Sequence, residues 1–154
     1  MKFIKSNKTY IPIELAIMNS QPEHNLVSED RELLTDEDLL EEHEEHKDKK
    51  ERYLISLDDE FIGIVDFIME NPRDLKPWLG LFIVHKNWEG KGVAQEAYTW
   101  YENLMKARGV GEVRLGCFKN NLKGLTFWRR QKYEIVKEID FKEKPMFVLE
   151  KKLS

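Results

Sequence analysis

Asp66 stands inside an otherwise apolar, strand-like run, Phe61 to Met69, and Glu70 follows at its end. A lone carboxylate among Ile, Val and Phe is costly to bury unless a partner or a task holds it there. Such a carboxylate can collect a proton from an attacking nucleophile, which makes Asp66, then Glu70, candidate general bases. A salt bridge or a turn is the alternative for either. A second chemical signal is Leu81-Phe82-Ile83-Val84-His85-Lys86-Asn87-Trp88-Glu89-Gly90-Lys91-Gly92-Val93-Ala94, where an apolar strand meets a short glycine turn and a helix. The first amides of a helix have no intrahelical partner, and the helix dipole adds positive charge there. Gly90 and Gly92 let a phosphate approach those amides, and Lys91 adds charge, so the segment suits a pyrophosphate. A plain tight turn fits too. The segment is neither a Walker loop nor a dinucleotide GxGxxG.

The remaining reactive groups carry less. A single cysteine, Cys117, excludes a disulfide framework and a cysteine zinc site, and reads as a buried strand residue. His43 and His46 could share a metal, but His-Glu-Glu-His is not HExxH and lacks a third ligand; a solvated helical face, and no metal, is the expectation. His85 reads as structural. The acidic stretch Glu41 to Glu51 reads as a solvated face, with steering of a cationic substrate as the alternative.

The elements that must position these groups follow from periodicity. Ile13, Ala16 and Ile17 share a helical face, and Thr35 with Asp38 makes a capping-box-like start to a second helix, which runs into Glu41 to Asp48. Tyr53 to Leu57 and Phe61 to Met69 read as antiparallel strands around an Asp58-Asp59 turn. After a turn at Asn71 to Asp74, the nearly continuous apolar run Trp78 to Val84 reads as a strand buried on both faces. Val93, Ala97, Tyr101, Leu104 and Arg108 recur at helical spacing, and Gly109 stops that helix. A strand at Val113 to Phe118, a short helix at Leu122 to Arg130, and strands near Tyr133 to Ile139 and Met146 to Leu149 complete a mixed α/β order with one crossover.

The 154 residues fit one domain, 1–154, with 41% hydrophobic residues for its core and 35% charged residues for its surface. The first 75 residues hold 20 Asp and Glu against 9 Lys and Arg; the remainder hold 9 against 16. The acidic half could attract a cationic substrate and the basic half an anionic cofactor, although solubility alone accounts for such a surface. No basic stretch is interleaved with aromatics, which argues against nucleic acid. No apolar run is long enough for a membrane span, and a cytoplasmic protein is expected.

Two motifs in order make the chain resemble the GNAT N-acetyltransferases across about residues 52 to 135. The family's Gln/Arg-x-x-Gly-x-Gly/Ala is met by Asn87-Trp88-Glu89-Gly90-Lys91-Gly92, with Asn87 departing at the first position. The later Asn, aromatic-pair and Gly-Phe motif is met by Asn121, Phe127-Trp128 and Lys132-Tyr133. Lys132 replaces the usual Gly, so that turn should be accommodated differently. Trp128 stands where many members have the Tyr that protonates the departing thiolate, and an indole cannot be that acid. The resemblance implies a central, mostly antiparallel sheet with one parallel, splayed strand pair, flanked by helices. It implies acetyl-CoA held by Phe82, Ile83, Val84 and by Glu89, Gly90, Lys91, Gly92, Val93 and Ala94, with Asn121 and Trp128 beside the pantetheine. The amide of Ile83 or Val84 would polarise the acetyl carbonyl for direct attack by a primary amine of a small molecule or protein. Dimers are common in the family, so a homodimer is open. A CoA-binding module without turnover is the alternative.

Overall fold

The computed structural model describes residues 1–153. Its strands are β1 (Lys2–Lys5), β2 (Lys50–Leu57), β3 (Glu60–Ile68), β4 (Trp78–Val84), β5 (Glu112–Phe118), β6 (Glu134–Phe141) and β7 (Lys144–Lys152). Its helices are α1 (Ile11–Asn19), α2 (Pro22–Glu29), α3 (Asp36–Glu44), α4 (Val93–Ala107) and α5 (Leu122–Arg130). The seven strands form one sheet in the order β1-β2-β3-β4-β5-β7-β6. All neighbours are antiparallel except β4 and β5, which are joined by the α4 crossover. This is the mixed sheet with one parallel pair that the sequence led us to expect.

The parallel pair is short. Only Trp78 opposite Arg114 and Leu79 opposite Leu115 stay in register, after which the strands part. The expectation that β4 is buried on both faces is corrected for this reason: Gly80 is exposed, and Leu81 and Phe82 are half-buried, because they border the gap. A bulge contributes to the parting. Asp66 pairs with Leu81 and Phe67 with Leu79, which leaves Gly80 as the extra residue of β4.

Two apolar clusters clamp the sheet. On one face α4 brings Val93, Ala97, Tyr98, Tyr101 and Met105 against Phe67, Leu115 and Leu149. On the other, Ile11, Ile17, Leu34 and Leu39 pack on Leu54, Ile64 and Ile83. Thr35 and Asp38 close a reciprocal capping box on α3, as their spacing predicts. The helix ends at Glu44 rather than running to Asp48, and β2 starts at Lys50 rather than Tyr53. Both β1 and α2 escaped the sequence reading. The Lys-Phe-Ile-Lys of β1 is too short to show alternation, and α2 exposes Leu26 while burying Asn25.

Matching Schellman closures end α4 and α5. Gly109 (φ 76°) stops α4, with Val110 N–H on the Met105 carbonyl. Lys132 (φ 73°) does the same for α5, with Tyr133 N–H on the Trp128 carbonyl. The turn at Lys132 therefore keeps the left-handed geometry usual for glycine, which corrects the expectation of a different accommodation. Among the described residues no helix is long and apolar enough to cross a membrane.

Candidate active site

The gap between β4 and β5 opens into a cleft bordered by Gly80, Leu81, Phe82, Cys117, Asn121 and Trp128, among others. Strand alternation fixes which amides of β4 face it. His85 N–H donates to the Ile62 carbonyl at 2.7 Å, and the Ile83 carbonyl lies 2.6 Å from where a Cβ on Gly63 would stand. Both groups therefore point towards β3. In an antiparallel strand both backbone groups of a residue point the same way, and successive residues alternate. Ile83 N–H is thus turned to β3, whereas the backbone groups of Phe82 and Val84 are turned to the gap. Of the two amides the sequence left open, the geometry favours Val84.

At the end of β4 the glycine turn takes the conformation it was read to need. Gly90 (φ 73°) and Gly92 (φ 76°) are both left-handed, and a Cβ on either would meet nothing within 4 Å. Gly92 is the N-cap of α4 and no side chain caps that end, so the first amides of the helix are turned out beside Gly90, Gly92, Ala94 and Gln95 on the cleft wall. Val93 is buried in the core, so only its backbone is available there. Lys91 instead places its ammonium 5.2 Å over the Trp88 ring and does not border the cleft. His85 caps the turn Lys86–Trp88 by accepting from Asn87 N–H, a structural role.

Glu89 bridges the two arms of the cleft. Its Oε1 accepts from Lys123 Nζ of α5 at 2.6 Å and from Gln21 Nε2 at 2.7 Å, and the Lys123 bond holds its carboxyl below the ordinary value. Gln21, just before α2, also donates to the Val84 carbonyl at 2.9 Å. Asn121 caps α5 through Gly124 N–H and borders the cleft. Trp128 sits among Phe82, Tyr98, Phe127 and Tyr133, with ring centroids 4.9–5.8 Å apart. Among the described residues no tyrosine borders the cleft. Tyr98 and Tyr133 bond each other at 2.9 Å, and burial raises both phenols. Cys117 is buried, which pushes its thiol up to about 11 and away from thiolate chemistry.

The carboxylates resolve into one that reaches the cleft and one that does not. Glu70 is exposed beyond β3 and does not border the cleft. Asp66 borders it, with a side chain 6% exposed, and its Oδ2 accepts from Arg52 Nη1 at 2.6 Å. Arg52, itself 4% exposed, also holds Glu14 Oε2 at 2.8 Å and Glu42 Oε1 at 3.2 Å. Glu14 is fully buried and takes further bonds from Ser6 and His43. Burial alone would raise its carboxyl, but Arg52, Ser6 and His43 bring it below the ordinary value. Glu42 is less well served. Burial, with Asp66 adding to it against Arg52 and Lys50, pushes it up to about 7.

The reading of His43 as part of a solvated face is corrected here: its side chain is 9% exposed and turned inward to Glu14. Sequence reasoning also missed Arg52, Glu42, Gln21 and Lys123. The one available signal was the need of buried Asp66 for a cation.

The family model described as "Acetyltransferase (GNAT) family" matches residues 16–133. No curated protein matches the chain. Among solved structures, an acetyltransferase from Thermus thermophilus aligns with a TM-score of 0.80 at 17% identity, covering 98% of this chain and 96% of that one. PaiA N-acetyltransferase from Thermoplasma acidophilum, in complex with coenzyme A, aligns at 0.71 and 18% identity, covering 98% of each. An acetyl transferase from Salmonella typhimurium, described as modifying the N-terminal serine of a ribosomal subunit protein, aligns at 0.78 and 13% identity, covering 99% and 94%. At these identities the structural likeness is one of fold.

Proposed function

Because the chain belongs to the GNAT family of acetyltransferases, whose acyl donor is acetyl-CoA, we propose that it transfers the acetyl group to a primary amine by direct attack in a ternary complex. The observation that carries this reading is the parallel pair that parts after two residues, with an uncapped helix N-terminus beyond the glycine turn. In this reading the pyrophosphate rests on the amides from Gly90 to Ala94, and the pantetheine runs between Phe82 and the Asn121–Trp128 side. Val84 N–H donates to the acetyl carbonyl oxygen as the amine attacks, stabilising the charge that develops there. A carboxylate on the α3–β3 side collects the proton of the amine; Asp66 borders the cleft there, and exposed Glu70 is the weaker candidate. The departing thiolate takes its proton from water or leaves unprotonated, since Trp128 has no acidic proton to give.

That last feature is what favours the second reading, a CoA-binding module without turnover. Calorimetric titration with acetyl-CoA, followed by thiol release against a panel of amines, separates the two. Binding with turnover on one amine class is expected; binding without turnover on any amine supports the module; no binding at high micromolar acetyl-CoA contradicts both.

A further inference from the structure

Resting on the acetyltransferase reading, we propose that Glu42 and Asp66 together form the subsite for the acceptor's ammonium group, with Glu42 as the proton acceptor. Both carboxylates lean on one guanidinium nitrogen, Nη1 of Arg52, at 3.2 and 2.6 Å, while Glu14 occupies the rest of that guanidinium. One buried cation thus serves three carboxylates, and the excess negative charge lies on the two that border the cleft. A buried carboxylate without its full complement of donors is costly, and a cationic ligand group supplies what is missing.

A separate observation shows where that group would sit. The side chain of Asp66 is 94% buried, yet its Oδ1 takes no hydrogen bond from the described residues, Arg52 bonding Oδ2 instead. That oxygen lies where a Cβ on Gly80 would come within 2.6 Å, so the glycine of the β4 bulge leaves it clear beside the gap. Val84, whose backbone faces the same gap, is four residues further along β4. Glu42 reaches the subsite from α3 with a side chain 27% exposed, open enough to pass a proton to solvent. The groups facing it are Arg52 and Lys50 of β2 and Asp66 of β3, and its carboxyl is held near neutrality between them.

The ammonium docks between Asp66 Oδ1 and Glu42, and gives one proton to Glu42, which later returns it to solvent. The free amine forms the C–N bond at the thioester carbonyl, the C–S bond breaks, and the sulfur departs with its electron pair. The second proton lost by nitrogen passes to water, from which the thiolate can take one. Around this subsite Arg52 is engaged by carboxylates, Lys50 by the Glu42 carbonyl and Arg31 by Asp38. The acceptor class is therefore an aliphatic amine with no carboxylate beside its amino group, because a like charge there is repelled.

The test is thiol release against pH with a 1-aminoalkane, and with the amino acid that adds a carboxylate to its amino-bearing carbon. The aminoalkane is expected to be preferred by about tenfold or more in kcat/KM. In the wild type kcat/KM should rise with pH through about 7, at a midpoint that does not move when a second amine of different pKa is used. Glu42→Gln should lose that limb and about 10²–10⁴ in kcat, while its acetyl-CoA Kd by calorimetry stays within about twofold. An active wild type whose limb moves with the amine's own pKa overturns the proposal even if the variant fails to fold. So does a Glu42→Gln enzyme that keeps both rate and limb, or an equal preference for the amino acid. A wild type that turns over no amine overturns the acetyltransferase reading itself, and this inference with it.

Discussion

Glu42 illustrates how a single side chain ties stability to chemistry. Its carboxyl is pushed by burial from the ordinary 4.5 to about 7, so the folded protein holds that proton more tightly than the unfolded chain does. The stability this contributes is fully present below about 4.5 and is lost as pH rises through about 7. Glu42→Gln removes the dependence. Its stability relative to the wild type, from denaturant melts, should therefore climb between about pH 5 and about pH 8 by ~1–3 kcal/mol. A flat difference would mean that Glu42 titrates normally. Glu14 works in the opposite sense. Its lowered carboxyl stabilises the fold above the ordinary value, and that contribution is lost as pH falls below it. The sequence announced that Asp66 needed a cation but not which one. A straight hairpin around Asp58-Asp59 would set Glu51 opposite Asp66; the bulge that leaves Ile62 unpaired shifts the register by one and brings Arg52 there instead. One unpaired residue thus separates a repulsive pair from the buried ion pair at the cleft.

At the scale of elements, the glycine turn with its helix was legible and the carboxylate wall facing it was not. The strand, glycine turn and amphipathic α4 form a local unit whose conformation follows from Gly90, Gly92 and a 3.6-residue period. The carboxylate wall is assembled from α1, α3, β2 and β3, which are distant in sequence, and nothing local in Glu14 or Glu42 points to Arg52. Gly92→Val places a branched side chain at φ 76°, in the space beside the first amides of α4. It should cost about 1–2 kcal/mol of stability from the backbone alone and lower acetyl-CoA affinity by at least about tenfold in calorimetry; unchanged affinity would move the phosphate site elsewhere. Lys132 does in α5 what Gly109 does in α4, at nearly the same φ but with a side chain. Lys132→Gly should therefore stabilise the protein by about 1 kcal/mol in urea unfolding. A loss of stability would show that the lysine side chain offsets its backbone strain.

Across the whole molecule, the cleft is held by ties that cross between elements far apart in the chain. Gln21 joins the α1–α2 connection to the Val84 carbonyl and to Glu89, and Glu89 reaches Lys123 on the opposite arm. Lys144 at the start of β7 bonds the Val27 carbonyl and Asp30, which fixes the β6–β7 hairpin to α2. Gln21 therefore ties the α1–α2 connection both to the end of β4 and to the glycine turn. Gln21→Ala should weaken acetyl-CoA binding and raise the amine KM together, each by about three- to tenfold, the worth of a hydrogen bond or two. A change confined to one substrate would show that the two sides are held independently. The charge division noted in the sequence has a place in this arrangement. Glu42 and Asp66 border the α3–β3 end of the cleft, whereas Lys123 and Arg130 border the α5 side. Thiol release from acetyl-CoA by the wild-type protein, measured across an amine panel, tests whether this cleft transfers acetyl groups to amines. Amine-dependent release, saturating in both substrates and strongest for aliphatic amines without a neighbouring carboxylate, is the predicted result. Acetyl-CoA that binds but is never consumed with any amine would contradict it.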